Sequence, residues 1–194
     1  DWYVGQHLPE RVGLLGWRFG RRYERVDGID GEPQFFSWYE LDSPAAAETP
    51  EYRARLNDPT PETVAVMQRW GNMTRTVCEV VSRSGRLSGA YVVVVRLFDP
   101  ELIPALSTLA VSAAEQVGAL GSQMWQSAQS VGASTTAESD VRGVPDGAVA
   151  AAILVECMRS TDAEMVRQNM LDELERGGLG EATATTYRFL CEYR

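Results

Sequence analysis

The segment Val12-Gly-Leu-Leu-Gly-Trp17 returns as Val117-Gly-Ala-Leu-Gly-Ser122, a V-G-x-L-G match whose last glycines, Gly16 and Gly121, stand 105 positions apart. Each copy opens onto a stretch of mixed alternation, Arg18 to Val26 and Gln123 to Val131, that reads as a strand. A second pair of strands follows in the same order. Glu32 to Glu40 and Gly147 to Glu156 are aromatic or β-branched runs behind Gly/Asp/Pro turn clusters, each ending in glutamate. A third pair, Arg75-Thr-Val-Cys-Glu79 and Arg188-Phe-Leu-Cys-Glu192, shares the dipeptide Cys-Glu. Three matches in one order make an internal repeat.

Between the second and third strands both halves place a helix. In the first half Thr60 is the expected cap, Pro61 the first helical residue, and Val64, Met67 and Trp70 the apolar stripe. In the second, Thr161 and Glu164 form a capping box ahead of the stripe Ala163, Val166, Met170 and Leu174, and Gly177-Gly178 ends the helix. The second half also has a leading strand, Ala90 to Leu97, followed by Asp99-Pro100 and a helix with the stripe Leu102, Leu106, Leu109, Ala113 and Val117. It therefore reads βαββαβ, and the first half αββαβ, its opening helix lying over Asp1 to Leu8. The 105-residue offset maps Tyr91 upstream of Asp1, so a strand ahead of Asp1 is expected in the natural protein. A βαββαβ unit is the ferredoxin-like arrangement, a four-stranded antiparallel sheet with helices on one face. The expected fold is α+β: two fused ferredoxin-like repeats, 1–88 and 89–194, forming one α/β barrel with a small-molecule pocket between the sheets.

The rest of the composition narrows the classes. Apolar runs such as Tyr91 to Val95 and Ala148 to Val155 are far shorter than the ~18 residues of a membrane span. A net charge of −9 repels phosphate and anionic lipid, so neither nucleic acid nor membrane is an expected partner. Three cysteines without CxxC spacing, all in strand-like segments, suit a reducing cytoplasm. One histidine, His7, excludes multi-histidine metal sites, so no metal and no cofactor are expected.

The opening Asp1-Trp-Tyr-Val-Gly-Gln-His-Leu-Pro-Glu-Arg-Val12, with Leu15-Gly16-Trp17 and Arg21-Arg22-Tyr23, resembles the EthD-like branch of the dimeric alpha-beta barrel superfamily, in which a "WY…HLPE" helix leads to a "PGF…RRY" strand. Leu15 stands where that pattern has proline, and Trp17 where it has phenylalanine. The likeness covers about the first 42 residues. It implies the barrel fold and a small-molecule pocket. Relatives of that kind include cofactor-free monooxygenases, isomerases, lyases, polyketide cyclases, haem peroxidases and proteins without known activity.

The candidate residues each carry two readings. His7 can exchange a proton with a phenol or an enolisable ketone near its ordinary pKa of ~6.5, or it can cap a helix end. Arg21 or Arg22 can hold a carboxylate or phenolate, or pair with glutamates. Alternation puts Trp17, Phe19, Arg21 and Tyr23 on one face of their strand and Arg18, Gly20, Arg22 and Glu24 on the other. Phe36, Trp38 and Tyr39 form an aromatic binding wall or a plain core. Glu40 and Glu156, with Glu79 and Glu192, are symmetric carboxylates for acid/base work or rim partners of arginines. Cys78 and Cys191 are packing residues or, beside a cation, nucleophiles. Tyr3 is a possible phenol donor. Asp42–Pro59 and Gly132–Gly147 read as loops over the barrel mouths.

Two functions from different classes fit. One is a cofactor-independent enzyme (isomerase, lyase or oxygenase) acting on an aromatic or polyketide-like acid or ketone by proton transfer, with His7, Arg21, Arg22 and Glu40 catalytic and Tyr3, Trp17, Phe36, Trp38 and Tyr39 holding substrate. The other is a non-catalytic ligand-binding or structural protein of the same fold; a haem enzyme is a third option, and a homodimer is an open assembly.

Overall fold

The computed structural model describes residues 2–71, 73–128, 135–143 and 146–194. A π-helical turn, Tyr3–His7, runs on into α1 (Leu8–Val12), followed by β1 (Trp17–Arg25) and β2 (Phe35–Leu41). Then come α2 (Pro50–Asn57), α3 (Pro61–Met67), β3 (Cys78–Gly85), β4 (Tyr91–Leu97), α4 (Ile103–Ala113), β5 (Ala119–Ser127), α5 (Ala137–Arg142), β6 (Ala151–Cys157), α6 (Ser160–Arg176) and β7 (Thr183–Tyr193). The strands make one seven-stranded sheet in the order β2-β1-β7-β4-β6-β5-β3. Every neighbouring pair is antiparallel.

Within that order β7-β4-β6-β5 is the split-βαβ arrangement expected of the second half. First-half strands flank it, β1 pairing with β7 and β3 with β5. The registers repeat to the residue. Cys191 faces Arg22 and Cys78 faces Ser127; Glu192 faces Arg21 and Glu79 faces Gln126, so both pairs of partners keep the 105-residue offset.

The sheet curls on itself. Phe36 and Trp38 of β2, at one edge of the sheet, lie 6.4 and 5.5 Å from the ring of Trp125 on β5, far across the strand order. These rings, with Tyr23, Tyr187, Val92, Val94 and Leu154, fill the concave interior. Aromatic side chains narrow this interior, and Phe36, Trp38, Trp125, Leu154 and Tyr187 line a cavity that continues from it toward the helices.

A second core lies on the convex face of the second half. Val93, Val95 and Ile153 meet Leu106 and Leu109 of α4 and the full α6 stripe Ala163, Val166, Met170 and Leu174. Strands β4 and β6 are therefore buried on both faces, which is why they read as continuous apolar runs.

Local chemistry explains where the elements depart from the sequence pattern. The opening helix continues past Pro9 to Val12. Leu8 N–H bonds Tyr3 O, one residue beyond α spacing, at the point where Pro9 offers no N–H and crowds the preceding turn. Helix α6 starts at Ser160 without a side-chain cap, and Glu164 bonds Arg167 instead of closing a box with Thr161. Val117 lies beyond α4 and is exposed. Strand β3 starts only at Cys78, because Arg75 N–H is taken by Gly147 O at 2.9 Å. The Asp42–Pro59 stretch holds a 3-10 turn, Pro44–Glu48, and α2, whereas the far end of the Gln123–Val131 strand and part of Gly132–Gly147 lie outside the described residues.

Candidate functional site

The two halves use their helix-facing layers differently. In the second half that layer is closed by aliphatic side chains. In the first it carries Tyr3, His7, Arg22, Tyr39, Tyr52 and Trp70 around a cavity of about 800 Å³. Such polar, aromatic lining suits ligand binding more than core packing.

His7 is placed by the π-turn, whose i−5 spacing sets it against Trp2 and Tyr3, with ring centroids at 4.8 and 5.0 Å, and Trp70 at 6.3 Å. It is only 9% exposed, and its Nδ1 is buried without a hydrogen-bond partner among the described residues. Burial, then the charges of Arg11 and Arg22, bring its pKa down to about 3, so the imidazole is neutral at neutral pH.

Arg22 reaches the same layer from β1. Its guanidinium carbon lies 3.6 Å from the centroid of Tyr3 and 4.2 Å from that of Phe35, and Nη1 donates to Ser37 Oγ at 3.2 Å. Among the described residues it makes no ion pair with a carboxylate, in contrast to Arg21 on the opposite face of the strand. The hydroxyls of Tyr3 and Tyr39 are 3.0 Å apart. Burial and the neighbouring Tyr3 push the Tyr39 phenol well above its ordinary pKa, leaving it a neutral donor.

The far wall is tied together by charge. Arg11 of α1 pairs with Glu138 of α5, both almost fully buried. Arg142, one turn on, holds Asp146 at 2.7 Å, and Arg75 Nη2 donates to Tyr52 OH at 2.8 Å.

The structure therefore gathers Tyr3, His7, Trp17, Arg22 and Tyr39 in one helix-side layer and places Arg21, Phe36 and Trp38 on the concave face. Trp17 departs from the alternation because the pairing shifts between Trp17 and Phe19, turning its ring toward Tyr39 and Tyr52 at 5.2 and 4.9 Å. Arg21 donates to Glu192 at 2.6 Å and lies 3.5 Å from Glu156. Glu40, at the end of β2, lies 3.9 Å from Arg18 and 3.4 Å from Arg83. Burial raises the Cys78 thiol to about 11 and, with nearby carboxylates, Cys157 to about 12; both are protonated at neutral pH. Arg11, Tyr52, Trp70, Arg75 and Glu138 joined the site without being singled out. The i,i+4 spacing of His7 and Arg11 on one helix could have pointed to Arg11. Nothing local in Arg75 or Glu138 marks either one.

Among the described residues, no cluster of His, Cys, Asp and Glu could hold a metal ion, and no helix is long and apolar enough to cross a membrane. No protein-family profile and no curated protein matches the chain. Among solved structures it is similar to a proposed monooxygenase from Fusobacterium nucleatum, with a TM-score of 0.52 and 9% identity over 98% of this chain and 84% of that one. That likeness is one of fold, and with the curled antiparallel sheet and its outer helices it makes this chain an α+β protein of the alpha-beta barrel kind.

Proposed function

We propose that this chain is a cofactor-independent small-molecule enzyme that binds an aromatic or polyketide-like acid or ketone in the helix-side cavity and moves a proton with His7. The observation that carries this reading is a buried, unpartnered imidazole nitrogen beside an arginine that has no carboxylate partner, in one cavity wall. The His7 Nδ1 has no partner, and Arg22 has no carboxylate, among the described residues. A buried polar atom left unbonded is costly, and a ligand that supplies the missing bond recovers that cost.

Arg22 would hold the carboxylate or phenolate of the ligand, with Tyr3, Trp17 and Tyr39 against its ring. Neutral His7 would take the proton, and the Tyr3–Tyr39 phenol pair would donate to the oxygen on which charge develops. An anion bound beside Arg22 offsets part of the charge that depresses His7, so binding itself would make the imidazole more basic. Arg21 would act from the concave face as a support of strand geometry, and Glu40 would stand in the cavity wall, held by Arg18 and Arg83. Return of the proton gives an isomerase, loss of a leaving group a lyase, and capture of dioxygen by the deprotonated substrate an oxygenase. The fold shared with a proposed monooxygenase makes oxygenation the first to assay. The Trp2-Tyr3, His7-Leu8-Pro9-Glu10 and Arg21-Arg22-Tyr23 motifs further suggest EthD-like kinship.

A second reading, a binding protein without catalysis, is favoured by the low basicity of His7. Turnover of phenolic and β-keto acids by the unmodified chain and by His7→Ala separates the two. Loss of about a hundredfold or more in kcat with binding retained supports the enzyme. Binding without turnover in either protein supports the binder. An absorbance spectrum of the purified protein tests the cofactor-free part directly.

A further inference from the structure

Two arginines of the cavity wall stand apart from their neighbours. Arg11, Arg53, Arg83, Arg96 and Arg142 each reach a carboxylate of the chain. Arg22 and Arg75, both half-buried, reach none among the described residues. Their guanidiniums donate to neutral oxygens instead, Arg22 to Ser37 Oγ at 3.2 Å and Arg75 to Tyr52 OH at 2.8 Å. Each brings a fixed positive charge and a partly used fork of donors to the cavity.

A row of rings joins the two. The Arg22 guanidinium lies 3.6 Å from the centroid of Tyr3, and the Tyr3 and Tyr39 hydroxyls are 3.0 Å apart. Tyr39 meets Trp17 edge to face at 5.2 Å, Trp17 meets Tyr52 at 4.9 Å, and the Tyr52 hydroxyl holds Arg75. All of these residues line the one cavity.

We propose that the cavity takes an elongated aromatic dianion, with one carboxylate on Arg22, a second on Arg75, and a flat ring system lying along Tyr3, Tyr39, Trp17 and Tyr52 between them. The inference rests on the reading of this cavity as an acid-binding site anchored by Arg22, to which it adds the second anchor. It does not require His7 to be catalytic.

The surroundings fit such a ligand. A carboxylate accepts two parallel N–H groups from one guanidinium, and the single bond from Arg75 to Tyr52 leaves most of its fork for that purpose. The carboxylates of the wall beside Arg75 are already engaged, Glu138 by Arg11 and Asp146 by Arg142, so a second anion there meets no bare like charge from either. Rigid aromatic side chains between the two anchors offer faces and edges to a flat body. About 800 Å³ is room for more than one ring. A monoacid on Arg22 would leave Arg75 unmet, and that difference is the source of specificity.

The test is isothermal titration with three rigid diacids of increasing length: terephthalate, naphthalene dicarboxylate and biphenyl dicarboxylate, each with its carboxylates at opposite ends. Each is compared with the monoacid of the same ring system, on the unmodified chain and on Arg75→Met, Arg75→Gln and Arg22→Met. At least one diacid is expected to bind the unmodified chain about tenfold or more tighter than its monoacid. Both Arg75 variants should bring that ratio to within about twofold while leaving the monoacid's affinity unchanged, which also reports an intact cavity. Arg75→Gln can still donate to Tyr52, so it keeps the test valid where Arg75→Met loses its structure. Equal affinity of diacid and monoacid in all three pairs, or equal weakening of both by the Arg75 variants, overturns the second anchor and leaves the Arg22 reading standing. Binding of no acid to the unmodified chain, or binding untouched by Arg22→Met, overturns the acid-binding reading and this proposal with it.

Discussion

Trp38 and Trp125 meet edge to face, ring centroids 5.5 Å apart, although β2 lies at one edge of the sheet and β5 near the other. That contact draws the two sides of the curled sheet together over the cavity that Trp38 and Trp125 share with His7 and Arg22.

Truncating Met170, buried in the convex core and absent from the cavity wall, should cost stability without costing binding. Met170→Ala is expected to lose about 2–5 kcal/mol in a denaturant melt. Ligand affinity per folded molecule should stay within about threefold, whereas Trp70→Ala, in the cavity wall, should weaken binding with a smaller stability loss. Isothermal titration alongside the melts checks both.

The Arg11–Glu138 pair joins α1 to α5 and is buried on both sides. Glu138→Gln leaves the Arg11 charge uncompensated and should destabilise by about 3–5 kcal/mol, read as a lower denaturant midpoint with an unchanged slope. Arg11→Met with Glu138→Leu should recover most of that loss.

Gly20 is where α1 touches β1. A Cβ there would meet Leu8 Cδ1 at 2.6 Å and the Tyr39 ring at 2.7 Å, so Gly20→Ala must displace the helix that carries His7 or the ring that partners Tyr3. The expected cost is about 1–3 kcal/mol, with ligand affinity falling as well. Thermal melts and binding isotherms of this one variant measure both effects.

His7 also sets a pH dependence. Its pKa is lower in the folded chain, about 3, than the ordinary 6.5 of an unfolded one, so between those values the unfolded state binds the proton and the folded state does not. Its contribution to stability is complete above about pH 6.5 and is lost progressively as pH falls toward 3, at about 1.4 kcal/mol per pH unit. In His7→Gln that part of the slope should vanish from urea melts taken between pH 4 and 6.5.

Much of the fold was legible because repeats survive in local patterns. The V-G-x-L-G and Cys-Glu matches, read from one-dimensional spacing, reappear as identical registers of Cys78 against Ser127 and Cys191 against Arg22. The α6 stripe was legible because helical burial follows a fixed period. What escaped depended on pairing between distant segments. The shift at Trp17 that moves its ring to the helix side is set by β2, not by the alternation within β1. Of the site, Tyr3, His7, Arg22 and Tyr39 could be picked by residue type and motif. Arg75 enters it through an irregular segment and Glu138 on α5, a helix of six residues that is too short to carry a periodic signal.

The most direct test of the account is the NMR signal of the imidazole nitrogens of His7, unambiguous because the chain has one histidine. The account predicts a neutral imidazole that does not titrate between pH 5 and 8, and a saturable shift of its resonances on adding salicylate that is lost in Arg22→Met. A signal that titrates near pH 6.5 and ignores salicylate would contradict it, placing His7 in solvent and the ligand site elsewhere.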